Sequence, residues 1–124
     1  MEEKQEKIVY FCTSGADNAE KASICFAMAN AGMALDMDVK VALQGKAVQL
    51  AQKGFTDHVP ATGGFPALKK LISDYIAQGG EIHVCKPCME ERNIADSDLI
   101  EGAQVTAGGT LNIMAAASDA QMVY

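Results

Sequence analysis

Two cysteines three positions apart, Cys85 and Cys88, stand in the stretch EIHVCKPCMEERN, residues 81–93, with Lys86 and Pro87 between them. Thiols at this spacing form a redox pair, half of a metal site, a single nucleophile with a bystander, or two buried hydrophobes. The redox reading draws on the C-x-x-C spacing at a helix start with a proline between the thiols, although the surrounding pattern is unlike thioredoxin. The metal reading is H-x-C-x-x-C, with His83 and Cys85 on one strand face and Cys88 a turn into the next helix. Zinc takes about four protein ligands in a structural site and about three plus water in a catalytic one. The chain has no second C-x-x-C, so Cys12 or His58 would have to complete the set. His83 reads more simply as a half-buried strand residue, and no metal or other cofactor is expected.

Around this pair stand a few residues with supporting chemistry. Cys12 closes the apolar run YFC before Thr13-Ser14-Gly15. Cys25 lies mid-helix beside Ile24 and Phe26, where a cysteine is a small buried hydrophobe. Arg92, the only arginine, follows Cys88 by one turn and reads as a surface ion pair or as an anion contact near Cys85. His58, in the Gly/Pro-rich stretch FTDHVPATGGFP, is a surface histidine unless that loop folds over the strand ends, where it would assist proton transfer. Asp17, Asp36, Asp38, Asp96 and Asp98 read as caps and turn residues.

The elements that must hold these residues alternate along the chain. KIVYFC and the residues after it (7–13) form an unbroken apolar strand, and AEKASICFAMANAGMAL (19–35) a helix apolar nearly all round. That helix must lie between a sheet and a neighbouring element or face another subunit. Residues 38–44 are a second strand, 46–54 a short helix stopped by Gly54, and 55–66 a loop. Residues 67–80 are an amphipathic helix with Leu68, Leu71, Ile72, Tyr75 and Ile76 at helical spacing. EIHVC is a third strand, and Pro87 suits the first turn of the helix PCMEERN. Residues 96–102 are a further turn, 103–107 a strand, 110–120 a helix and 121–124 a last strand. This alternation predicts one α/β domain over residues 1–124, a three-layer α/β/α sandwich on a five-stranded, mainly parallel sheet.

Composition bounds the function. Apolar residues make up 49% and charged residues 21%, ordinary for a soluble globular domain. The net charge of −6, with no basic patch, excludes a nucleic-acid surface. No run is long enough to span a bilayer, and the charged start MEEKQEK has no apolar signal core. The expectation is a cytoplasmic protein, where a close cysteine pair stays reduced and is more often catalytic or metal-binding than a staple.

In parallel sheets, chemistry gathers beyond the carboxyl ends of the strands. Cys85 falls at such an end and opens a helix, whose unpaired N–H groups and positive end favour a thiolate. Lys86 adds to this and Glu90 and Glu91 oppose it, so a modestly activated thiol is expected. Cys85 should then react first, ahead of a more buried Cys88, with Cys12 its rival on the same rim and Cys25 inert.

The chain resembles the DsrE/DsrF-like family of small α/β proteins, which includes subunits of bacterial sulfur-relay complexes. The likeness rests on the first strand ending in Thr13-Ser14-Gly15, the Ala-rich segment ADNAEKASICFAMANAGMAL and the strand VKVALQG. It rests above all on the strand ending in Cys85, its short Arg-bearing helix, and LIEGAQV. The resemblance implies a persulfide on Cys85, passed to the thiol of a sulfur-carrier partner, and assembly into homo-oligomers, trimers or hexamers. Relay members usually lack a second cysteine three residues on, so Cys88 is a departure that would resolve the persulfide as a disulfide. The alternatives are a non-enzymatic oligomeric module of the same fold, binding metal through His83, Cys85 and Cys88 or nothing at all, and a dithiol redox protein using the Cys85–Cys88 pair.

Overall fold

A computed structural model describes residues 4–124, so the charged start of the chain falls only partly within it. Five strands, β1 Lys7–Cys12, β2 Asp38–Leu43, β3 Glu81–Cys85, β4 Ala103–Thr106 and β5 Ala120–Val123, form one sheet in the order β4-β3-β2-β1-β5. Every pairing is parallel. Four helices connect them: α1 Ala19–Ala34, α2 Leu68–Ala77, α3 Lys86–Glu91 and α4 Gly108–Ala117. The predicted strands agree with these to within a residue at either end. Apolar runs ending in Gly, Ser or Cys leave little freedom in where a parallel strand can stop.

Right-handed crossovers dictate the layers. The chain steps outward from β1 through β2 and β3 to β4, then returns across the sheet to β5 on the far side of β1. α1 and α2 therefore share one face, and α4, on the return stroke, lies on the other. Side chains agree. A Cβ on Gly32 of α1 would meet Val39 and the Tyr10 hydroxyl, whereas Val9 faces Ile113 and Met114 of α4.

The core lies between the sheet and the α1–α2 layer. Ala22, Cys25, Phe26, Ala29 and Gly32 of α1 are buried, and Phe26 meets Tyr75 of α2 edge to face at 5.9 Å. The all-round apolar helix is thus taken up by the sheet on one side and α2 on another. Asn18 caps α1, its side chain accepting the Lys21 N–H at 3.1 Å.

The segment after β2 differs from the expected helix 46–54. It runs as 3-10 turns over Gly45–Ala51, with Ala47, Val48, Leu50 and Ala51 buried. It is tied to the 96–100 region by Lys53 N–H to Asp98 O and Ile100 N–H to Ala51 O, both 2.8 Å. Gly54 opens a further short turn, Phe55–His58, inside the expected loop. No helix among the described residues is long and apolar enough to cross a membrane.

Candidate functional site

β3 delivers Cys85 to the carboxyl edge of the sheet, and Pro87 sits in the first turn of α3, where its missing N–H leaves no bond unmade. α3 is fixed by Met89, 2% exposed, and by Arg92, whose guanidinium donates to the Cys88 carbonyl at 3.1 Å. This frame turns Cys88 back toward the strand. Its Sγ stands 2.8 Å from Cys85 Sγ and accepts the backbone N–H of Gly45 at 3.2 Å. Gly45 has a φ of +57°, which glycine adopts without strain and which lets the loop after β2 aim that N–H at the sulfur.

Cys85 is 8% exposed and Cys88 half-buried. Burial first of all, then the hydrogen bond to Cys88, pushes the Cys85 thiol above its ordinary value. The Cys88 N–H and the Arg92 charge act in the opposite sense and do not prevail. Both grounds for expecting Cys85 to be the readier thiol are therefore corrected. Desolvation outweighs what the Cys88 N–H and Arg92 offer, and the more exposed of the two residues is Cys88.

Cys85 nevertheless opens onto a cavity of about 180 Å³ on the α4 side of the sheet, bounded by Phe11, Gln44, Pro87, Gly108 and Asn112. Gly108 begins α4, and neither it nor Gly109 has a neighbour within reach of an added Cβ, so the backbone there stays open. A second cleft, of about 200 Å³, lies at the opposite ends of β1 and β2 under Ile113 and Met114 and holds no thiol.

Cys12 does not share this rim. It follows Phe11, which lines the Cys85 cavity, so by strand alternation its side chain points to the α1 face. There it is fully buried with Cys25 and donates its S–H to Ser14 O at 3.3 Å. A hydrogen bond shared with Cys12, together with burial, drives the Cys25 thiol up and holds it neutral. His58 is exposed and lines a different depression, with Asp17, Glu20 and Thr62 beside the start of α1. His83 shares the face of Cys85 but has both ring nitrogens engaged: Nδ1 with Thr106 Oγ1 at 2.9 Å and Nε2 with Glu81 Oε2 at 3.1 Å. A ligand role would have to break one of these bonds, so the H-x-C-x-x-C constellation is filled by protein contacts.

Of the residues singled out from sequence, the fold brings together Cys85, Cys88 and Arg92 and leaves Cys12 and His58 elsewhere. It adds Gly45, Gln44 and Asn112, which sequence reasoning missed. The one visible signal for Gly45 was its place directly after the strand VKVALQ, and for α4 the Gly108–Gly109 pair at a helix start.

The model of the DsrE/DsrF-like family matches residues 6–124. An uncharacterised protein of Methanocaldococcus jannaschii, MJ0760, is 32% identical over 107 residues, which cover 86% of this chain and 38% of that protein. The chain thus spans well under half the length of that relative. The crystal structure of the ychN protein from E. coli superposes with a TM-score of 0.82 at 20% identity, covering 97% of this chain and all of the other. The protein MTH1491 from Methanobacterium thermoautotrophicum gives 0.69 at 14% identity, with 97% of this chain and all of that one covered. These two likenesses concern the fold. With the whole five-stranded unit inside the matched range, the chain belongs to the DsrE/DsrF-like family.

Proposed function

We propose that this protein is a cytoplasmic sulfur-relay protein that accepts sulfane sulfur as a persulfide on Cys85 and passes it to a partner thiol. The observation that carries the reading is the position of Cys85. Its sulfur closes β3, opens onto a small cavity beside the start of α4, and accepts a hydrogen bond from Cys88 Sγ at 2.8 Å. A cavity of about 180 Å³ has room for a short sulfur chain or the tip of a partner's cysteine. Family membership supports the same chemistry. Attack by the Cys85 thiolate on a donor's terminal sulfur breaks the donor's S–S bond, gives Cys85–S–S⁻ and releases the donor one sulfur shorter. A partner thiolate later takes that outer sulfur and releases the Cys85 thiolate.

The test is loading followed by transfer. Cys88→Ser, incubated with inorganic polysulfide and freed from it, gains the mass of one sulfur atom at Cys85 and yields it to glutathione. Cys85→Ser gains none. Equal loading of Cys85→Ser would remove Cys85 from the role.

We further propose that the chain assembles with copies of itself, as a trimer or hexamer. Ile113 of α4 and Val123 of the edge strand β5 are 70% and 69% exposed, both on the α4 side of the sheet. α1, from which association was expected, buries Ala22, Cys25, Phe26 and Ala29 within the chain and leaves Met28 and the following Leu35 exposed. Sedimentation at micromolar concentration checks this, and a monomer there counts against it.

A further inference from the structure

We propose that the Cys85–Cys88 pair does more than hold sulfur: it reduces the bound persulfide and releases it as hydrosulfide. The inference rests on the persulfide reading of Cys85 and gives the second cysteine a chemical role. Three observations carry it. The sulfurs stand 2.8 Å apart with both cysteines free. A disulfide needs about 2.0 Å, so joining them asks for a shift of less than an ångström. Cys88 is held in that position from two sides, by the Gly45 N–H on its sulfur and by Arg92 on its carbonyl. Cys85 alone of the two opens onto the cavity, so an added outer sulfur is accommodated there, while Cys88 faces the inner sulfur, Cys85 Sγ itself.

The sequence of bonds balances without an external oxidant. Cys85 gives its proton to solvent and attacks the terminal sulfur of an inorganic polysulfide, breaking that sulfur's bond to the rest of the chain, while Cys88 stays a thiol that donates to Cys85. The products are Cys85–S–S⁻, Cys88–SH and a polysulfide one sulfur shorter. Cys88 then attacks the inner sulfur. The Cys85–Cys88 bond forms as the bond to the outer sulfur breaks, and that sulfur leaves as HS⁻ with the proton from Cys88. The sulfane sulfur has gained two electrons and the two thiols have become a disulfide. A dithiol reductant must then return the pair to its starting state by thiol–disulfide exchange. The protein therefore stands between a reaction that supplies sulfane sulfur and a dithiol system that consumes its disulfide.

A single-turnover experiment under anaerobic conditions tests this, with reduced full-length protein freed from reductant and inorganic polysulfide as the probe. The wild type is expected to release a burst of sulfide equal to the protein present and to lose the mass of two hydrogens. Cys88→Ser and Cys88→Ala are expected to keep one added sulfur at Cys85, with sulfide at background. If the wild type keeps the added sulfur and shows no burst, the release step is wrong and the carrier reading survives. If the sulfur is retained by Cys85→Ser and not by the Cys88 variants, the roles are reversed and the proposal falls. If neither the wild type nor the Cys88 variants take up sulfur, the carrier reading falls with it.

Discussion

Cys88 Sγ accepts the backbone N–H of Gly45 at 3.2 Å, so the turn after β2 holds the sulfur that faces Cys85. The pair is thus assembled at two strand ends: β3 supplies Cys85 and α3 behind it Cys88, and the turn after β2 supplies the donor that fixes the second sulfur.

That contact makes the pH behaviour of Cys85 depend on its neighbour. Burial and the hydrogen bond to Cys88 both raise the Cys85 thiol above the ordinary 9.0. In Cys88→Ala the hydrogen bond and the neighbouring charge are gone, while much of the burial remains. The Cys85 pKa is expected to fall relative to wild type, moving the pH midpoint of its alkylation downward. Peptide mapping after timed alkylation across a pH series reads this directly, and a midpoint that rises or stays fixed contradicts the account.

At Gly45 the difficulty with a side chain is strain, since an added Cβ meets only Thr13 O, at 3.8 Å. A left-handed backbone costs an ordinary residue about 1–2 kcal/mol, and a β-branched one fits it worst. Gly45→Val is expected to lower stability by about that amount and, by turning the N–H away from Cys88, to slow sulfide release. Gly45→Asn, tolerated in this conformation, is expected to stay near wild type in both. Denaturant midpoints and single-turnover rates on the two variants separate a backbone effect from one of size.

Gly80 follows α2 where the chain passes under the Tyr75 ring. A Cβ there would fall on the ring itself, and Tyr75 is held by its hydroxyl donating to Glu81 O at 2.7 Å. Gly80→Ala is expected to destabilise by roughly 1–3 kcal/mol, since ring or strand must move in a filled core. Urea unfolding measures it, and an unchanged midpoint would show that Tyr75 is freer than its contacts imply.

Asp119 joins the start of β1 to the approach to β5. Its carboxylate accepts from Lys4 Nζ at 2.6 Å and from the Lys7 N–H at 2.8 Å, and its own N–H donates to Lys7 O. The Lys4 contact, then the Lys7 N–H, holds its pKa below the usual 3.8. A depressed carboxyl contributes stability that is present above its unfolded value and lost as pH falls through the folded one. Asp119→Asn is expected to be less stable than wild type at neutral pH, with the gap closing in acid below about pH 3.8. Thermal melts of both proteins from neutral to acid pH check the sign.

Much of this protein was legible in its sequence because burial on both faces writes itself as an apolar run. KIVYFC, DVKVAL and EIHVC read as strands of a mainly parallel sheet, and the glycines and Pro87 between elements marked where helices start and stop. The position of Cys85 at a strand end followed from that pattern alone. What only the tertiary structure decided was which groups meet there. Strand order placed β2 between β1 and β3, and side-chain alternation sent Cys12 to the opposite face from Cys85. The N–H of Gly45 reaches a sulfur 43 residues further along the chain, a contact that leaves no periodicity to read. Desolvation of Cys85 likewise depends on how closely α3, α4 and the turn after β2 pack around it. For that reason the sequence pointed to the right thiol pair and misjudged the acidity of its first member.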